Sequence, residues 1–73
     1  MKYRVGDRVE VIFPIEKGEY EIRQGIVEIA DEEAYQREDY AYYVRVEGYE
    51  NGAWYFEEGI TPLSRKRRYN TQT

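Results

Sequence analysis

From Tyr40 to Glu47 the chain reads Tyr-Ala-Tyr-Tyr-Val-Arg-Val-Glu, placing Tyr42, Val44 and Val46 on one side and Tyr43, Arg45 and Glu47 on the other. A period of two marks a half-buried strand, because successive Cβ atoms point to opposite faces of the pleat. The same parity groups Val9, Val11 and Phe13 in the segment Arg8–Phe13. Pro14 has no N–H to donate to a ladder and is expected to end that strand. The charged stretch from Ile15 to Glu21, with Gly18 in it, then reads as an exposed loop. A second strand is expected over Arg23–Ile29, with Val27 and Ile29 inward and Glu28 outward, and with Gly25 permitting a bulge or a close strand crossing.

Turn chemistry punctuates these strands. Val5-Gly6-Asp7 leads into the first of them, and the polar stretch from Asp31 to Asp39 is expected to hold one helical turn capped by Asp31. Asn51-Gly52 is a hairpin pair, since both residues take positive φ at low cost. It precedes a strand over Ala53–Phe56, in which Trp54 is expected to join the core. Glu57-Glu58-Gly59 reads as a tight turn, and Ile60–Leu63 as a short closing strand whose Pro62 suits a sheet edge. Five short strands in 73 residues fit a barrel better than a sandwich, because closure removes edges that a small sheet cannot cover.

A chain of this length holds one domain, expected over residues 1–64, with residues 65–73 as a flexible basic tail lacking apolar periodicity. Cores of this size supply only about 3–5 kcal/mol. Nine tyrosines, two phenylalanines and one tryptophan are the material for it, since each buried ring removes a large apolar area from water. With no cysteine, neither disulfides nor thiolate metal sites add to it. No apolar run reaches the length of a signal-peptide core or membrane span, so a soluble, cytoplasmic protein without membrane contact is expected.

The net charge of −4 is unevenly divided. Residues 1–63 carry seven Lys and Arg against all fifteen Asp and Glu, a balance of −8, while Arg65, Lys66, Arg67 and Arg68 follow together. An acidic body thus precedes a basic tail.

The order Val5-Gly6-Asp7-Arg8-Val9-Glu10-Val11, Gly25-Ile26-Val27, Tyr43-Val44-Arg45-Val46, Trp54-Tyr55-Phe56-Glu57-Glu58 and Ile60-Thr61-Pro62-Leu63 resembles SH3-like barrels of the KOW and Tudor-like kind. That group includes small phage or prophage proteins and the small photosystem I subunit IV. The resemblance spans roughly residues 3–64 and implies a five-stranded barrel with a short helical turn before the last strand. Members bind RNA, peptides, methylated residues or larger protein complexes. The acidic body departs from the nucleic-acid-binding members, whose loops are usually basic.

Catalysis finds no support in the residue types. The chain has no His and no Cys, and its one serine, Ser64, stands beside the tail without an evident base. The clusters Asp31/Glu32/Glu33 and Glu38/Asp39 lack the spaced oxygen ligands and fixed glycine of a calcium loop. No metal or other cofactor is expected. Tyr20, Tyr35, Tyr40, Tyr43, Tyr49 and Tyr55 exceed what so small a barrel hides, and tyrosine favours interfaces by offering wide contact with few rotors.

A non-catalytic protein-interaction module is therefore expected, docking on a larger, basic-surfaced partner through Tyr40, Tyr43, Tyr55, Glu57 and Glu58. An aromatic cage for a methylated lysine or arginine is a narrower form, drawing on Tyr20, Tyr40, Tyr55 or Trp54 with Glu57 or Asp39. Two alternatives stay open. The acidic body could mimic nucleic acid and inhibit a host enzyme, or Arg65, Lys66, Arg67 and Arg68 could bind phosphates directly in a KOW-like manner.

Overall fold

The computed structural model describes residues 1–63. Along them run β1 (Arg8–Glu16), β2 (Glu19–Ala30), α1 (Glu32–Gln36), β3 (Tyr42–Val46), β4 (Ala53–Tyr55), a 3-10 turn (Glu57–Gly59) and β5 (Ile60–Pro62). The five strands form one antiparallel sheet in the order β4-β3-β2-β1-β5, curled into a half-barrel. The small all-β, barrel-like architecture expected from the alternation is the one observed, and a short helical turn precedes the last strand, as the resemblance implied. No described helix is long and apolar enough to cross a membrane.

The inner side of the curl is filled by Val9 and Val11 of β1, Val27 of β2, Tyr42, Val44 and Val46 of β3, and Ile60 of β5. Tyr3, Ala34 and Ala41 complete this core, with Phe13, Ala30 and Tyr55 packed against it. Side chains tie β4 to β1 and the N-terminal arm to β5. The Tyr55 hydroxyl donates to the Ile12 carbonyl at 3.4 Å, and the Tyr3 hydroxyl to the Ile60 carbonyl at 3.0 Å.

Pro14 does not end β1. The strand passes through it to Glu16, and β2 begins at Glu19, so the expected loop from Ile15 to Glu21 is mostly hairpin. Pro14 faces Tyr20 in the register. A residue without an N–H is tolerated there if its nitrogen lies on the edge away from β2, making Pro14–Tyr20 a non-hydrogen-bonded pair. Ile12–Ile22, two residues back, is then of the same type. That assignment agrees with the Ile12 carbonyl pointing off the ladder towards Tyr55. The hairpin reverses at Gly18, whose φ is 75°.

A bulge falls at Glu28 rather than at Gly25, because Val27 pairs with Val44 and Ile29 with Tyr43, leaving one extra residue on β2. It shifts the parity, so Val27 faces inward and Ile29 outward, against the expectation for Ile29. Gly25 instead serves close strand approach, since a Cβ there would lie 2.6 Å from Val44 Cγ1 and 2.7 Å from the Arg45 carbonyl oxygen.

The β3–β4 connection takes its positive φ at Gly48, at 90°, and not at Asn51-Gly52. Gly52 is required for room: a Cβ would collide with the Val44 carbonyl oxygen, and its N–H donates to the Tyr43 hydroxyl at 2.9 Å. Trp54 lies outside the core, on the outer face opposite Tyr43 with ring centroids 5.3 Å apart. Its neighbours on β4 have inward parity and its own position does not.

Gly52→Ala is expected to cost about 1–3 kcal/mol through backbone displacement, lowering Tm by several degrees per kcal/mol in a domain of this size. Gly18→Ala, which meets open space and only the φ penalty, is expected to cost about 1 kcal/mol. Thermal unfolding of the two variants checks the order.

Candidate functional site

The end of the sheet where α1 meets the 3-10 turn is organised by one carboxylate. Glu57 Oε2 accepts from the Tyr42 hydroxyl at 2.6 Å and from the Lys2 backbone N–H at 2.8 Å, while Oε1 accepts from the Tyr35 hydroxyl at 3.4 Å. The Tyr42 oxygen in turn accepts the Tyr3 N–H at 3.4 Å. The Tyr3 and Tyr42 rings meet edge to face at 5.6 Å. Four segments converge here: the N-terminal arm, α1, β3 and the 3-10 turn.

The local sequence explains the placement. Asp31 caps α1 by accepting the Ala34 N–H at 3.1 Å. After one short helix the chain turns back through Glu38, which adopts φ 62°, while the Asp39 N–H returns to the Ala34 carbonyl at 2.9 Å. A left-handed residue after a helix is ordinarily glycine, so a glutamate there brings a carboxylate to a position usually left bare. Asp39 accepts the Tyr40 N–H at 2.7 Å, and the Tyr40 ring stacks on Phe56 at 4.1 Å.

Between these elements lies an open groove of about 740 Å³, lined by Tyr35, Gln36, Glu38, Asp39, Phe56, Glu57 and Glu58. Two rings and four carboxylates line it and no Lys or Arg does. Such a surface suits a cation that can use charge-assisted hydrogen bonds and ring faces together. Among the described residues no group of three acidic side chains is placed to hold a metal ion.

The structure brings Tyr40, Glu57 and Glu58 to this end of the sheet and leaves the other two expected contact residues elsewhere. Tyr43 is half-buried on the outer face beside Trp54. Tyr55 packs against the core and bridges to β1. Glu57 spends its oxygens on internal partners, which makes Glu58 the freer neighbour. The rings named for a methyl-cation cage do not converge. Tyr20 sits at the hairpin end of β2, some ten residues from the Ala30–Tyr42 pair near Tyr40, a strand length on the order of 30 Å. Trp54 and Tyr55, adjacent on β4, face opposite sides. Arg65, Lys66, Arg67 and Arg68 lie outside the described residues.

Tyr35, Phe56 and Glu38 are groove residues that the alternation did not single out. The clustering of Glu38 and Asp39 just after the capped turn was the available signal, since a loop closing a one-turn helix must turn its side chains outward.

No family model matches the chain, and neither a curated protein nor a solved structure does.

Burial, then the bond to Glu57, pushes the Tyr42 hydroxyl up to about 12 from its ordinary 10.0. The bonds from Tyr42 and from the Lys2 N–H hold the Glu57 carboxyl below its ordinary value. Tyr42 therefore stabilises the fold fully below pH 10, and that contribution is lost as pH rises towards 12. The Glu57 contribution is present above its ordinary value and lost as pH falls through the lowered one. Tyr42→Phe is expected to cost about 1–3 kcal/mol at neutral pH by leaving Glu57 and the Tyr3 N–H short of a partner, and to flatten the alkaline loss. Glu57→Gln is expected to flatten the acid loss. Urea midpoints measured across pH for the three proteins check both signs.

Proposed function

We propose that the chain is a non-catalytic protein-interaction module that receives a Lys- or Arg-rich segment of a larger partner in the groove between α1 and the 3-10 turn. The observation that carries this reading is the lining itself. Glu38, Asp39, Glu57 and Glu58 surround the Tyr35 and Phe56 rings without a lining cation, and Tyr40 extends the aromatic surface by stacking on Phe56. The charge balance of −8 over residues 1–63 steers a basic surface towards the protein before contact. Ring faces then supply a component that salt screens less than it screens open charges.

The nucleic-acid-mimic reading shares the acidic surface but makes no use of the rings. Isothermal titration with an arginine- and lysine-containing decapeptide separates the two. Groove docking predicts a Kd on the order of 10–100 µM, weakened about tenfold or more by the triple change Glu38→Gln, Asp39→Asn, Glu58→Gln, and weakened separately by Phe56→Ala. Tyr43→Ala, remote from the groove, is expected to leave the Kd unchanged. Affinity that ignores Phe56→Ala and collapses with salt points to mimicry, and no binding at low salt overturns the docking reading.

A further inference from the structure

The outer face of β2 is the wrong kind of surface for a strand at the middle of a sheet. Antiparallel sheets with one solvated face usually present polar residues outward. Here the outward column of β2 reads Tyr20, Ile22, Gln24, Ile26 and, beyond the bulge, Ile29. Tyr20 is 65% exposed and Ile22 69%. Ile12 on β1, directly opposite Ile22, is 55% exposed, and Trp54 flanks the other end from β4. This apolar spine runs the length of the twelve-residue strand.

We propose that this face is where two copies of the chain pack, sheet against sheet, with their β2 strands antiparallel across a two-fold axis near Gln24. Three features of the face select a second copy as the occupant. The first is area. With roughly 150–200 Å² for each side chain when fully open, the exposures of Tyr20, Ile22, Ile12, Ile26, Ile29 and Trp54 leave on the order of 500–600 Å² per copy. Two copies then bury about 1,000–1,200 Å² from these six side chains alone, before their neighbours are counted, which reaches the lower bound for a specific stable interface.

The second feature is charge. A second copy brings its own balance of −8 over residues 1–63 and is repelled by most of the surface. The charged side chains that reach solvent beside the spine are Arg8 and Arg45 with Glu28 and Glu47, which cancel, and Arg45 is ion-paired to Glu28 at 2.6 Å, while Glu10, opposite Gln24, is buried. Like-charged copies approach at least cost on this neutral strip. The third feature is shape. Tyr20 and Ile22 are the two most exposed apolar residues of the face and stand at its hairpin end, while a hollow of about 200 Å³ lies beside Ile26, among Arg8, Gln24, Arg45 and Glu47. A two-fold axis near Gln24 sets Ile22 of each copy over Ile26 and the hollow of the other, as a self-complementary interface requires. Edge pairing is the poorer route, because Pro14 puts a missing N–H on the free edge of β1 and Pro62 lies on the edge strand β5.

Sedimentation equilibrium of the full chain across a concentration series tests this. The expected result is a reversible dimer whose dissociation constant tightens as salt rises, since added ions screen the repulsion between copies. Ile22→Glu is expected to weaken the dimer at least tenfold. Ile12→Lys, on the neighbouring strand, is expected to do the same with the opposite charge, so an effect of charge sign alone is separated from loss of apolar contact. Both sites are exposed, and an unchanged circular dichroism spectrum confirms that each variant is folded. A monomer at millimolar concentration and high salt overturns the proposal, and so does a dimer that keeps its dissociation constant in both variants.

Discussion

The hydrogen bond from the Tyr42 hydroxyl to Glu57 ties the sheet interior to the turn that precedes β5. Tyr42 is a fully buried side chain of the sheet interior, and its hydroxyl must find a partner because a buried polar group left alone costs several kcal/mol. Glu57 meets that need from the turn after β4 and, through the same carboxylate, takes the Lys2 N–H and the Tyr35 hydroxyl. A small core of valines has little stability to spare. One carboxylate that satisfies three donors from three segments therefore counts for more here than it does in a larger domain. It also fixes where α1 and the 3-10 turn stand, and so where the groove opens.

The inner and outer faces of the sheet follow different rules. Inside, β-branched residues with Tyr42 fill the curl without a buried side-chain polar atom left unsatisfied among the described residues. Outside, aromatic and branched residues remain in the open, above all along β2. The acidic groove and the apolar spine share no residue. A module that presents two recognition surfaces of opposite character would join a basic partner to a paired copy of itself, the two contacts answering to salt in opposite directions.

Much of this was legible in the sequence where parity was uninterrupted. Tyr42, Val44 and Val46 alternate without a break, and all three are fully buried. Asp31 followed by acidic residues marked its helical turn, and Glu57-Glu58-Gly59 marked the 3-10 turn. Three misread positions share a cause: each depends on a partner strand rather than on its own neighbours. Pro14 stays in β1 because its nitrogen lies on the edge that faces away from β2. Ile29 turns outward because the bulge at Glu28 inserts one residue against β3. Gly52 is set by the carbonyl of Val44 and not by its own φ. Trp54 was expected in the core, yet its parity, opposite to that of its inward neighbour Tyr55, puts it outside. At the site, Glu57 was legible as acidic surface and turned out to be a structural acceptor, because nothing in its local sequence shows that a buried tyrosine fifteen residues earlier needs it.

Backbone amide mapping by NMR, with an arginine- and lysine-containing peptide added to the 73-residue chain, is the most direct test of the claim that the Tyr42–Glu57 contact builds a cation-receiving groove. The account predicts shifts concentrated in Tyr35–Asp39 and Phe56–Glu58, little change along the Ile12–Ile22 hairpin, and loss of the groove shifts when Tyr42 is replaced by Phe. Shifts centred on the hairpin, or groove shifts that persist undiminished in the Tyr42→Phe protein, would contradict it.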